Sequence, residues 1–264
     1  MGCASDRASV TAKKISTASF AASFVYAYTQ ELLAPDKPII YAYSHSPREK
    51  KNSVLSDDYN GAEQAVRHLA SLGHTRIGFI NGPPDVIPSQ NRFRGYCAAL
   101  ENHGIAFDRV LLKHGIWEKP ESGYAAATEL LALTDPPTAI FAANDVMAAG
   151  VIDAVHALGL RVPDDVSVIG YDDRDMAKFL KPALTTVRLP MAQIGSTAAE
   201  RLIRCVEEGA SLVDSVFIRC ELIVRDSCGE CSRPDLSDLR SIVSKHVPVP
   251  FPLLQGSKVD FPAS

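Results

Sequence analysis

The sequence predicts an α/β fold built on parallel sheet, and three observations carry that prediction. From Lys37 to Arg225, short apolar runs alternate with helix-length segments whose apolar residues recur at i, i+3, i+4 and i+7. Glycines and capping residues punctuate the alternation: Gly73, Gly104 and Gly159 follow helical stretches, and Asn144-Asp145 precedes one. The third observation is the segment 166–190, in which Val166, Val168 and Ile169 stop abruptly at Gly170-Tyr171-Asp172-Asp173. A second strand-like run, Leu184-Thr185-Thr186-Val187, follows just beyond a proline. Two carboxylates therefore stand at the carboxyl end of a buried strand, where open α/β sheets hold their ligands.

Taken in order, Ile39-Ile40-Tyr41-Ala42-Tyr43 reads as a buried strand entered through Lys37-Pro38, a tolerable place for proline. A helix follows from about Gly61, with Ala62, Ala65, Val66 and Leu69 on one face, and stops at Gly73. Residues 76–80 form the next strand and open into a loop over 81–91. The second helix carries Phe93, Tyr96, Cys97 and Leu100 and ends at Gly104. Residues 110–113 read as a short strand, 122–133 as a helix, 139–143 as a strand and 146–158 as a helix. The last helix, 191–208, keeps Ile194, Ala198, Leu202 and Cys205 on one face. Strands alternating with helices of this length imply a parallel sheet covered on both faces. Right-handed crossovers place every parallel strand's carboxyl end on one edge, so the loops at 82–91, 115–120, 144–145 and 171–173 are expected to converge. Residues 1–34 offer one amphipathic helix (Phe20, Phe24, Tyr28, Leu32) and no clear strand. Beyond Ser227 the chain reads as irregular, with Pro234, Pro248, Pro250 and Pro252.

The totals exclude several classes of function. A chain of 264 residues, 46% apolar, holds one large domain or two small ones. A formal net charge of −4 argues against a chain devoted to holding nucleic acid, which needs a clustered basic surface. Of the six cysteines, Cys97 and Cys205 fall on apolar helix faces. Only Cys228-Gly-Glu-Cys231 has ligand or redox spacing, without a second pair beside it, and the set reads as reduced and cytoplasmic. No run reaches the roughly 18 apolar residues that span a bilayer. Lys13-Lys14 ahead of residues 15–28 imitates a short signal peptide, but Ser and Thr dilute the stretch. Asp6 stands where a myristoylation pattern requires Ser or Thr. The seven histidines show no metal-ligand spacing, and no phosphate loop, nucleophile elbow or dinucleotide fingerprint occurs. The expectation is a binding protein without catalysis, metal or cofactor.

The candidate contacts are few. An ionised Asp172 has only acceptor oxygens and suits a pair of vicinal hydroxyls, whereas one of Asp172 and Asp173 is expected to cap the following turn instead. Arg92, with Arg94 as its competitor, offers a rigid donor fork at the start of the second helix. Trp117, the only tryptophan, lies in a polar stretch and serves either as a stacking platform for a ligand or as a plug under its loop. Asn144 and Asp145 are good helix caps, and one of them can face the cleft while the other caps.

At this point the chain resembles a known family. Ser56-Asp57-Asp58-Tyr59-Asn60-Gly61-Ala62, Gly73-His74-Thr75-Arg76-Ile77-Gly78-Phe79, Arg92-Phe93-Arg94-Gly95-Tyr96, Ala143-Asn144-Asp145-Val146-Met147-Ala148, Val168-Ile169-Gly170-Tyr171-Asp172-Asp173 and Leu184-Thr185-Thr186-Val187 occur in one order at matching spacings. Together they resemble the effector-binding domain of the lac/galactose-repressor (LacI/GalR) family over about Glu31 to Ser227. The resemblance implies a periplasmic-binding-protein-like fold, two Rossmann-like subdomains clasping an effector. By motif position it implies effector contacts from Arg92, Asn144 and Asp172, with stacking by Trp117, an apolar cleft residue at Met191, and Asp57 in the opposing loop. The implied effector is a sugar or sugar phosphate, less often a nucleobase, and the implied assembly a possible homodimer.

The departures from the family pattern are equally specific. Residues 1–29 show no helix-turn-helix head, so DNA contact is expected only through a module absent from this chain. The first subdomain is expected to be truncated, leaving residues 31–74 with 191–212. The second, 75–190 with 216–227, is expected to be complete, with 1–30 atypical and 228–264 an irregular tail. From this follow weakened effector binding and an unpaired sheet edge. The reading is a sensor domain of a transcriptional regulator. Its rivals are an exported sugar-binding protein of a transport system and a non-functional repressor fragment.

Overall fold

The computed structural model describes residues 19–22 (backbone only), 38–44, 52–208 and 214–231. Among these residues the strands are β1 (Ser19–Ala22), β2 (Ile39–Ala42), β3 (Ser53–Ser56), β4 (Ile77–Asn81), β5 (Leu112–His114), β6 (Ala139–Ala142), β7 (Ser167–Asp172), β8 (Thr185–Arg188), β9 (Val216–Ile218) and β10 (Glu221–Ile223). The helices are α1 (Asp58–Ser71), α2 (Ile87–Asn102), α3 (Pro120–Leu131), α4 (Asp145–Ala157) and α5 (Met191–Glu208). They form two sheets, a four-stranded one in the order β1-β2-β3-β9 and a six-stranded one in the order β10-β8-β7-β6-β4-β5. Every pairing is parallel except that of β10 with β8. The expected α/β architecture with parallel sheets is what the chain adopts.

Burial explains the apolar runs. Strands β4 and β6 are buried at every position, and a strand covered on both faces gains from an apolar side chain at each residue. Phe79 stacks on Tyr96 of α2 at 5.0 Å, while its neighbour Gly78 faces Leu130 of α3. Successive residues of a strand point to opposite faces, so the helices α2 and α3 cover opposite sides of the sheet. Helix α1 packs on α2, and α4 packs on α3. The large core runs from Ala62 and Leu69 through Phe79 and Phe141 to Val187. A smaller core of Ile40, Ala42, Val54, Ile194, Ala198, Leu202 and Ile218 sits where α5 packs on β2 and β3.

Several elements differ from expectation. Residues 19–22, expected in an amphipathic helix, extend as β1 beside β2, because four residues are too few for periodicity to tell strand from helix. The rest of that expected helix, including Phe24, Tyr28 and Leu32, lies outside the described residues. Residues 53–56 carry too short an apolar run to announce a strand, yet β3 is buried throughout, with Ser53 and Ser56 among its members. Helix α2 begins at Ile87, with Pro88 in the first turn where a missing N–H costs nothing, so Ser89 and Arg92 are helical. Helix α3 likewise begins at Pro120 rather than 122. Residues 109–111 form a 3-10 turn, and the strand expected at 110–113 starts at Leu112. Helix α1 buries Ala62, Ala65, Val66 and Leu69 in the large core, although the expected division placed it with 31–74. Strand β9 pairs with β3, although 216–227 was expected wholly with the larger part. Of the expected irregular tail, residues 228–231 are described, and Cys231 N–H donates to the Leu72 carbonyl at 2.8 Å. The remainder of that tail lies outside the described residues.

Candidate functional site

Parallel strands deliver their carboxyl ends to one edge, and the loops after β4, β6 and β7 bring chemistry there together with the end of β3. The hub is Arg92, in the second turn of α2 and wholly buried. Its Nε donates to Asp58 Oδ1 at 2.9 Å, its Nη1 to the Ala143 carbonyl at 2.5 Å and its Nη2 to the Tyr43 hydroxyl at 3.5 Å. Nη1 also lies 3.8 Å from Asp172 Oδ1. The guanidinium lies 3.7 Å from the centroid of the Tyr171 ring and 5.4 Å from that of Trp117. Burial opposes the charge, but the attraction of Asp58 prevails and holds Arg92 protonated, its pKa above the ordinary value. Burial also pushes the Tyr43 phenol above its usual range.

Asp172 ends β7 with φ of 110°, and Asp173 follows with φ of 54°, both conformations that side chains other than glycine's resist. The two carboxylates have separate fates. Asp173 is held by Arg188 at 2.7 Å and Arg225 at 2.5 Å. Burial alone would raise its pKa, but these two guanidiniums keep it below the ordinary carboxylate value. Asp172 is 15% exposed at the side chain and is pushed up to about 6 by burial, with Arg92 and Arg174 opposing. Arg174 lies 3.5 Å from Asp172 and forms a two-pronged pair with both carboxylate oxygens of Glu118, which ties the loop after β5 to the loop after β7.

Asn144 caps α4: its Oδ1 accepts from Met147 N–H at 2.8 Å, while its Nδ2 is buried with no partner. Asp145 is structural instead. It accepts from Thr186 Oγ1 at 2.6 Å and from the Arg174 N–H at 2.7 Å, and burial pushes its pKa up to about 7. The Trp117 indole N–H and Ser89 Oγ are also buried without a partner. Both crowd Gly82 so closely that a Cβ there would run into them, which is why glycine follows β4.

Of the expected contacts, the structure gathers Arg92, Asp172, Asn144 and Trp117 at one edge. Asp57 caps α1, accepting from Asn60 N–H at 3.1 Å and from Asn60 Nδ2 at 2.6 Å. Met191 stands 39% exposed at the start of α5. Sequence reasoning missed Asp58, Tyr43, Arg174 and Ser89. An acidic pair at 57–58 between an apolar run and a helix was a usable signal for Asp58; Tyr43 reaches Arg92 from the other sheet, a contact no local pattern announces. Among the described residues no group of three or more His, Cys, Asp or Glu is placed to hold a metal ion.

The Periplasmic binding protein-like domain family matches residues 66–228. The chain is 34% identical to a sugar-binding transcriptional regulator of the LacI family from Escherichia coli, solved in complex with phosphate. That likeness covers 74% of this chain and 69% of the other, with a TM-score of 0.68. The chain belongs to the LacI family. Another solved relative is the transcriptional regulator CelR in its cellobiose complex, 33% identical over 72% of this chain and 59% of the other, with a TM-score of 0.67. Among curated proteins this LacI-family chain is 39% identical to the probable HTH-type transcriptional repressor ExuR of Bacillus subtilis, over 66% of its own length. It spans about half (52%) of that relative. By name these relatives are transcriptional regulators or repressors rather than enzymes. Among the described residues no helix is long and apolar enough to cross a membrane.

Proposed function

We propose that this LacI-family chain senses a small polyhydroxylated effector, a sugar or close analogue, on behalf of a transcriptional regulator. The supporting observation is the meeting of Asp172, in a strained conformation, with the unpartnered buried donors of Asn144 and Trp117 around the engaged Arg92. Strain and unpaired polar groups both cost stability and persist where a ligand relieves or uses them. In this reading Asp172 accepts from hydroxyls, Asn144 Nδ2 donates, the Trp117 ring stacks, and Arg92 holds Asp172 in place. Asp57, beside β3, and Met191, at the start of α5, are the candidates for the opposite wall. Tyr43 reaches Arg92 from the four-stranded sheet, so occupancy bears on how the two sheets sit together. Relatives described as sugar-binding and as a cellobiose complex point to the same ligand class. The DNA-binding step is assigned to a separate head module, as in the HTH-type relatives.

A thermal-shift screen of the full chain against mono- and disaccharides, sugar phosphates and nucleosides tests this. A ligand in large excess over its Kd raises the melting temperature by mass action. At least one member is expected to do so, and the shift is expected to vanish in Asp172→Gly, a substitution that suits the local φ of 110°. A panel with no response, or a response that survives Asp172→Gly, contradicts the proposal.

A further inference from the structure

We infer that the ligand of this site is electrically neutral, recognised through hydroxyl groups and not through a phosphate or carboxylate, and that Ser89 bonds to it alongside Asn144 and Asp172. This rests on the effector-site reading above and narrows it. The charges at the site are already spent. Arg92 gives its donors to Asp58, the Ala143 carbonyl and Tyr43, and Arg174 gives its fork to Glu118 and faces Asp172. Two guanidiniums thus meet three carboxylates: Asp58, Asp172 and Glu118. An arriving anion would find no uncommitted guanidinium there and would add to an excess of negative charge.

The uncommitted groups ask for something else. Asn144 Nδ2 and the Trp117 indole N–H only donate, Asp172 as a carboxylate only accepts, and Ser89 Oγ does either. A phosphate or carboxylate offers acceptors alone and would set oxygen against oxygen at Asp172. A hydroxyl both donates and accepts, so an array of hydroxyls satisfies every one of these groups. Ser89 and Asn144 are 0% and 1% exposed, so neither finds its partner in bulk water. Trp117 lies against Gly82 and Ser89, and its loop is fastened at the rim by the exposed Glu118–Arg174 pair.

Titration calorimetry on the full chain tests the inference with matched ligands: glucose, galactose, cellobiose and uridine against glucose 6-phosphate, galacturonate, cellobiose 6′-phosphate and uridine 5′-monophosphate. The expected result is that at least one neutral member binds and its charged counterpart binds at least about tenfold more weakly. Binding of the neutral member is expected to change less than about twofold between roughly 50 and 500 mM salt. Whether the sugars or the nucleoside respond identifies the source of the hydroxyls. Ser89→Ala is expected to weaken binding roughly tenfold, as is Asn144→Asp, which keeps the helix cap but replaces the donor with an acceptor. Tighter binding of a charged member, or unaltered binding in Ser89→Ala, overturns the inference and leaves the effector reading standing; unaltered binding in Asn144→Asp counts against both. If nothing in either series binds, both fall.

Discussion

Arg92 is the residue on which the site turns, because its guanidinium is shared among groups from both sheets. Replacing it with alanine leaves Asp58 buried, with the Ser56 hydroxyl at 2.7 Å as its remaining bonded neighbour. Stranding a buried charge in this way costs about 3–5 kcal/mol, so urea unfolding of Arg92→Ala is expected to show a loss of that size. A loss below about 1 kcal/mol would mean that the pair is dispensable. Asp145 contributes to the pH dependence of stability. Its folded pKa of about 7 lies above its unfolded value, so its contribution to stability is full below about pH 4 and declines as pH rises through 7. Asp172, at about 6, slopes the same way. His68 and His74, lowered by burial, slope oppositely, as does Asp173 beneath its two arginines. Comparing the parent with Asp145→Asn isolates the term. Between about pH 5 and pH 8 the difference in unfolding free energy is expected to move in favour of Asp145→Asn by on the order of 2 kcal/mol. A constant difference contradicts this. At this scale Asp172 and Asp173 were legible as a pair because a strand ended there, and their division of labour follows from Arg188 and Arg225, which arrive from distant elements.

Helices α3 and α4 meet backbone to backbone, and glycines make this possible. A Cβ at Gly150 would strike the Pro120 carbonyl, and one at Gly123 the Met147 carbonyl. Gly150→Ala therefore forces the helices apart, at an expected cost of about 1–3 kcal/mol in denaturant unfolding. Helix α4 carries Asn144 at its start, so ligand affinity is expected to fall with it. An alanine variant as stable as the parent would show that the helices have room to spare. Helices were legible because periodicity and stop glycines act locally: Gly73, with φ of 88°, closes the segment after α1 as expected. Strands of three or four residues were less legible. β1, β3, β9 and β10 are defined by pairing with distant partners, and four residues such as Ser-Phe-Ala-Ala carry no period of their own.

The two sheets are unequal in how they are buried. Six strands and four helices share the large core, whereas the four-stranded sheet has α5 and the small cluster around Ile40 and Ile194. Local opening follows local burial, so hydrogen exchange is expected to be faster in β2 and β3 than in β4, β6 and β7. Equal protection in all five strands would contradict that division. The packing of α1 on the larger sheet and the crossing of β9 to the smaller one were not legible, because chain order does not say which sheet an element joins. The family motifs nonetheless named residues that the structure gathers at one edge, since they mark strand ends and helix starts, and those are what parallel topology gathers.

The edge formed by Asn144, Trp117 and Asp172 around Arg92 is the proposed seat of the effector. A crystal structure of the full chain grown with the ligand found by thermal shift tests it most directly. The expected ligand places hydroxyl oxygens within about 3 Å of Asp172 and of Asn144 Nδ2, and a ring face against Trp117. A ligand bound elsewhere, with Asn144 Nδ2 still unpaired and Asp172 untouched, would contradict it.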